Sequence, residues 1–129
     1  MTKFLLDTNA LIWLYKGSPR IKPILPLLAI PGTKVHISAV SWWEIAIKER
    51  NGKLDFSSMQ LEKYIYNYDF HDLPITKDFM KAYLELPKYP KIHKDPYNHM
   101  LLAQAITCPM RLITGDSELA QYSSLVMVI

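Results

Sequence analysis

Four acids fall where a chain of alternating strands and helices would carry them to one place. Asp7 closes the apolar run Lys3-Phe4-Leu5-Leu6, Glu44 lies near the start of an amphipathic segment, Asp95 precedes Pro96, and Asp116 follows Arg111-Leu112-Ile113-Thr114-Gly115. Asn98 stands one turn beyond Asp95. Converging carboxylates repel, and each raises its neighbours' pKa unless a cation sits among them. Mg²⁺ or Mn²⁺ relieves that repulsion. Hard oxygen ligands suit Mg²⁺, which keeps several waters and leaves room for phosphate oxygens, the arrangement of metal-assisted phosphodiester hydrolysis by in-line attack of water. Asp7, Glu44, Asp95 and Asp116 are the candidate catalytic residues, and with Asn98 the candidate metal ligands.

Each acid also has a purely structural reading. Asp7 is placed to cap a helix beginning at Thr8. Ser41-x-x-Glu44 matches a capping box, and Asp95 before Pro96 has the form of a cap with proline at the first helical position. Asp116 after Gly115 suits a turn. The two roles are compatible, and the joint occurrence of the four acids carries the chemical reading.

The elements that must position them follow from the periodicity. Lys3 to Leu6 reads as a strand and Ala10 to Tyr15 as a helix; Val35 to Ser38 reads as a second strand, and Val40, Trp43, Ala46 and Ile47 as one helical face ending at Asn51-Gly52. Ser57 to Tyr68 is expected to be helical, Asp72 to Ile75 a short strand, and Thr76 to Leu86 a helix with a threonine cap. Pro87 and Pro90 impose a loop. A helix from Asp95-Pro96, a strand over Arg111 to Thr114, one or two helical turns over Ser117 to Tyr122 and a closing strand over Leu125 to Ile129 complete the chain. Short apolar strands alternating with helices predict a parallel sheet covered on both faces, and ligands bind such sheets beyond the carboxyl ends of the strands, where strand order reverses.

The composition narrows the alternatives. The 129 residues are half hydrophobic and 12% aromatic, the profile of one folded domain spanning 1–129. Four glycines, Gly17, Gly32, Gly52 and Gly115, build neither a dinucleotide fingerprint nor a phosphate-cradling loop. The four histidines have no zinc-binding spacing, and Gly115-Asp116-Ser117 lacks the flanks of a nucleophile elbow. The single cysteine, Cys108, excludes an internal disulfide framework. Asp7, Thr8 and Asn9 interrupt the N-terminal apolar stretch before it reaches signal or membrane-span length, so a cytoplasmic location is expected. A net charge of +3 permits a nucleic-acid partner without demanding one.

Four segments taken in order resemble the successive motifs of PIN domains, particularly the VapC-like toxin ribonucleases. They are Leu5-Leu6-Asp7-Thr8-Asn9-Ala10-Leu11-Ile12-Trp13, Ile37-Ser38-Ala39-Val40-Ser41-Trp42-Trp43-Glu44-Ile45-Ala46, His93-Lys94-Asp95-Pro96-Tyr97-Asn98-His99-Met100-Leu101-Leu102-Ala103-Gln104-Ala105 and Leu112-Ile113-Thr114-Gly115-Asp116. The resemblance implies a three-layer α/β/α domain with a central parallel sheet of four or five strands, a Mg²⁺ or Mn²⁺ site, endoribonuclease activity, a homodimer, and a small antitoxin whose helix enters an apolar groove. It aligns Asp7, Glu44 and Asp116 with family acids that bind metal or its water, and Thr8, Asn9 and Thr114 with the polar residues supporting them. One position departs: where the family motif reads Asp-Pro-aromatic-Asp-Arg, this chain has Asn98 and His99. An amide oxygen still ligates Mg²⁺, and Asp95 one turn earlier is placed to supply charge.

Beside these acids, Lys88, Tyr89, Lys91, His93 and Lys94 form a basic, aromatic-spaced stretch. Lys91, His93, Lys94 and His99 are the candidate RNA contacts, against the alternative of a solvated loop. Trp13, Tyr15, Trp42 and Trp43 read as core aromatics. The expected function is a metal-dependent endoribonuclease, the toxin of a toxin–antitoxin pair. The alternative is a PIN-like module weakened by Asn98 that binds RNA or an antitoxin without efficient cleavage.

Overall fold

The computed structural model describes residues 2–88 and 95–129. Five strands, β1 (Lys3–Leu6), β2 (Lys34–Ser38), β3 (Phe70–Leu73), β4 (Arg111–Thr114) and β5 (Val126–Val128), form one parallel sheet in the order β3-β2-β1-β4-β5. The connections run outward from β1 on one side and return through β4 on the other. The reversal therefore falls between β1 and β4, where Leu5 pairs with Leu112 and Leu6 with Ile113. The carboxyl ends of these two strands are the switch point, the place at which open parallel sheets take their ligands.

Six helices cover the sheet: α1 (Thr8–Lys16), α2 (Leu25–Leu28), α3 (Ala39–Arg50), α4 (Ser58–Ile65), α5 (Lys77–Leu84) and α6 (Pro96–Thr107). Two 3₁₀ segments, Pro19–Ile24 and Ser117–Gln121, join them. The strands are continuous apolar runs because both faces are covered. Phe4, Leu6, Val35, Ile37 and Ile113 face α1, the first 3₁₀ segment, Ile45 of α3 and Leu61 and Ile65 of α4. Leu5 and Leu112 point the other way, onto Leu101, Leu102 and Ala105 of α6 with Met110, Leu119 and Val40. Helix α5 lies along α6. Full burial of a leucine stabilises by roughly 1.5–3 kcal/mol, and Leu5, Leu6, Leu101, Leu102 and Leu112 are all fully enclosed.

The expected three-layer α/β/α arrangement is present, with five strands. Four local expectations need correction. Strand β3 covers Phe70–Leu73, two residues earlier than Asp72 to Ile75, because its register is set by pairing with β2, Val35 opposite Phe70. Helix α4 stops at Ile65, short of Tyr68. Helix α3 begins at Ala39, so its cap is Ser38, whose hydroxyl accepts from Val40 N at 3.0 Å, and Ser41 with Glu44 forms no capping box. Ser41 is instead buried, its Oγ accepting the hydroxyl of Thr8 at 3.1 Å. Trp43, expected in the core, is 58% exposed and meets Tyr97 edge-on at 5.4 Å. Among the described residues no helix is long and apolar enough to cross a membrane.

Candidate functional site

Asp7 and Asp116 follow strands β1 and β4, Asp95 is itself extended, and each of the three caps the helical segment that follows. Asp7 Oδ1 accepts from Ala10 N at 2.7 Å, Asp95 Oδ1 from Tyr97 N at 2.9 Å and Asn98 N at 3.2 Å, and Asp116 Oδ1 from Glu118 N at 3.0 Å. Capping fixes the carboxylates and helix N-termini favour their charge. The structural reading of these residues is therefore correct, and it leaves Oδ2 of Asp7 and of Asp116 turned to other partners.

Those partners draw the two strand ends together. Gly115 N donates to Asp7 Oδ2 at 3.4 Å across the switch point, and Asp116 N donates to Thr114 Oγ1 at 3.0 Å. Asn98 Nδ2 donates to Asp116 Oδ2 at 3.3 Å, tying the first turn of α6 to the end of β4. Asp7 is buried, 2% exposed. That burial pushes its carboxyl above the usual carboxylate range, with the Glu44 charge adding a little, against hydrogen bonds from Thr114, Ala10 and Gly115. Glu44 is thus close enough for Asp7 to feel its charge, while its Oε2 lies 3.5 Å from Lys48 Nζ one turn along α3.

The remaining candidates divide. Thr8 and Thr114 are buried, Thr8 donating to Ser41 and Thr114 accepting from Asp116 N, whereas Asn9 is exposed on the first turn of α1. Asp95 is spent on its cap and makes no hydrogen bond to another site acid. His99 Nε2 is buried with no hydrogen-bond partner among the described residues, and its ring lies 5.7 Å from that of Tyr122, so that nitrogen is withheld from solvent. Lys91, His93 and Lys94 lie outside the described residues. Sequence reasoning gave Ser41 only a capping role and passed over Gln104. Gln104 accepts from Ser38 Oγ at 2.6 Å and donates to Pro74 O at 3.2 Å, joining β2, α6 and the chain after β3 beneath the site; a lone glutamine on an apolar helix face was its only signal.

A cavity of about 790 Å³ lies elsewhere. It is an open groove between α3, α4 and the β3 edge, lined by Trp42, Ile65, Tyr66, Tyr68 and Phe70 with Glu62 and Asp72 at its polar positions. None of the candidate site acids lines it.

A five-stranded parallel sheet with acids at its switch point, each capping the helical segment that follows, defines a three-layer α/β/α domain. The family model of the PIN domain matches residues 4–125, and the chain belongs to the PIN domain family. Solved structures share the fold, three of them over nearly the whole chain. VapBC2 from Rickettsia felis, bound to a DNA fragment from its promoter, superposes with a TM-score of 0.74 at 16% identity, covering 99% of this chain and 98% of that one. FitAcB from Neisseria gonorrhoeae gives 0.70 at 18%, over 98% and 96% of the chains. A toxin–antitoxin complex from Klebsiella pneumoniae gives 0.67 at 22%, over 96% and 95%. Comparison with curated protein sequences gives no match.

PIN nucleases generally use divalent metals, so the donors must be judged for that role. Among the described residues no three His, Cys, Asp or Glu side chains gather into a metal-holding group. What the site offers is hard oxygen: the Asp7 and Asp116 carboxylates, the Glu44 carboxylate near Asp7, and the Asn98 amide oxygen, whose nitrogen already serves Asp116. That chemistry fits a hard divalent cation, held by fewer charges than a full carboxylate cluster. The buried Asp7, whose ionised form is disfavoured by desolvation, is where a cation would relieve most.

Proposed function

We propose that the protein is a divalent-cation-dependent endoribonuclease and the toxin of a toxin–antitoxin pair. The observation that carries this reading is the pairing of Asp7 with the Gly115-Asp116 segment across the β1–β4 switch point, with Asn98 bonded to Asp116. Asp7, Asp116 and Asn98 would hold Mg²⁺ or Mn²⁺, with Glu44 beside them and Asp95 fixing the α6 turn that presents Asn98. When bound, the cation supplies charge neutralisation at the phosphate and activation of water. Asp7 and Asp116 keep fixed carboxylate positions because their caps and the Gly115 and Asn98 donors hold them. Thr114 holds the backbone between them, and Lys48 moderates the charge of Glu44.

The structural relatives are VapBC, FitAB or other toxin–antitoxin assemblies, which supports an antitoxin partner here. The groove beside α4 suits an amphipathic antitoxin helix, its aromatic walls taking apolar side chains while Glu62 and Asp72 meet a basic one. A homodimer, a cytoplasmic location and a single domain over 1–129 belong to the same reading.

Cleavage of a mixture of structured RNAs in Mg²⁺, Mn²⁺ or chelator, with Asp7→Asn alongside, tests it. Cation-dependent cleavage that disappears in Asp7→Asn is expected. Cation-independent cleavage sinks the proposal. A second reading, a binding module with weakened catalysis, is favoured by the Asn98–Asp116 bond, since the amide occupies an acid's place. A silent parent whose Asn98→Asp variant cleaves would establish that reading instead.

A further inference from the structure

Gly115 is not a glycine for conformational reasons. Gly17, Gly32 and Gly52 have positive φ, and Gly115 does not. Its reason is room. A Cβ built on Gly115 would sit 3.1 Å from Cζ3 of Trp13 and closer still to Cη2, so the indole occupies the space a side chain would need. An aromatic ring clamped in place cannot step aside as a flexible chain end would.

Trp13 is clamped. The Arg20 guanidinium lies over its ring, 4.2 Å from the centroid, and Arg20 Nη2 donates to the main-chain oxygen of Ile129 at 2.6 Å. Ile129 N in turn donates to Thr114 O at 2.9 Å, beside Gly115. The contacts close a ring: Trp13 on α1, Gly115 and Thr114 at the end of β4, Ile129 after β5, and Arg20 in the 3₁₀ segment back over Trp13. Both halves of the candidate site are in this ring. Helix α1 is capped by Asp7, and Gly115 N is the donor to Asp7 Oδ2.

We propose that Trp13 is a positioning residue, whose indole stands in for the missing side chain at 115 and so sets how closely the Asp116 segment approaches Asp7. The kinetic consequence rests on the nuclease reading above; the structural one does not. Positioning errors near 1 Å cost on the order of a hundredfold in rate, and residues in contact show their coupling as non-additivity.

The test is a double-mutant cycle of Gly115→Ala and Trp13→Leu, with melting temperatures to confirm that each variant folds. For RNA cleavage, Gly115→Ala lowers kcat by about tenfold or more while KM stays within about twofold, because orientation and not binding is disturbed. In the Trp13→Leu background the same alanine changes kcat by less than about twofold. Independently of RNA and cation, amide resonances of residues 7–10 shift on Gly115→Ala and stay in place when the alanine is added to Trp13→Leu. Resonances that move equally in both backgrounds, or in neither, overturn the proposal. A parent that cleaves no RNA defeats the nuclease reading alone, and the resonance cycle still decides the role of Trp13.

Discussion

Asn98 donates its side-chain amide to Oδ2 of Asp116 across 3.3 Å, so the acid that follows β4 is held by a donor from α6 where a second carboxylate would repel it. Asn98→Asp exchanges that attraction for repulsion. In chelator the variant is expected to lose about 1–2 kcal/mol of stability, and Mn²⁺ should restore more of its melting temperature than it adds to the parent. The cation midpoint of cleavage should fall by roughly tenfold, a difference of about 1.4 kcal/mol. Identical cation dependence in melting and cleavage would count against cation binding at this pair.

Asp7 carries a linked prediction on stability. Burial raises its carboxyl, foremost among the causes, so its contribution to stability is greatest at low pH and is lost as pH rises through the folded-state value. At neutral pH the ionised form is a cost. Asp7→Asn keeps an acceptor for Ala10 N and removes the charge. In chelator at pH 7 the variant should melt about 2–5 °C above the parent, the gap closing toward pH 4, while cleavage drops by about a hundredfold or more. Calorimetry between pH 4 and 8 reads the first effect, and a variant less stable than the parent throughout would contradict it.

His36 makes the opposite dependence. Burial holds its pKa below the ordinary histidine value of 6.5, aided by His71, whose ring lies 5.2 Å away on the paired strand, and by Lys3 and Lys34, against a backbone contact from Phe4. Its Nδ1 is buried without a hydrogen-bond partner. The unfolded chain therefore takes up the proton first, and stability present above pH 6.5 is lost as pH falls below it. The parent should melt progressively lower from pH 7.5 to pH 5.5, and His36→Gln should flatten that slope. Parallel slopes would refute the assignment.

Gln104 separates scaffold from chemistry. Gln104→Leu keeps the volume but leaves Ser38 Oγ and Pro74 O without their partner inside the core. The expected cost is about 1–3 kcal/mol, visible in urea denaturation, with kcat per folded molecule changed less than about twofold. A large kcat loss without destabilisation would place Gln104 in the chemistry.

The sequence was legible where one residue type serves two purposes. Asp95 before Pro96 announced both the start of α6 and its cap, and the strand-then-acid pattern located Asp7 and Asp116 at the sheet edge. It was misleading where tertiary pairing decides. Nothing in Phe70-His71-Asp72-Leu73 alternates strongly enough to set an edge strand, and only the neighbouring β2 fixes it. Ser41 and Glu44 had capping spacing, yet β2 ends early enough for Ser38 to cap, freeing Ser41 to meet Thr8. Pro19, Pro23 and Pro26 each lie in a short helical segment, at or near the start of one at Pro19 and Pro26. The apposition of Trp13 and Gly115 left no trace in spacing, because it arises from the crossing of two distant elements.

The adjacency of β1 and β4 has a consequence for the order of events in synthesis. Asp7 and its Gly115 partner are separated by 108 residues, and parallel pairing of such distant segments is slow to nucleate and comes late. A ribosome-bound chain lacking β4 has its first acid and no counterpart. If the site is the nuclease proposed, a nascent toxin is harmless to the RNA around it until the carboxyl-terminal part of its sheet is in place. That interval is available for a partner to arrive.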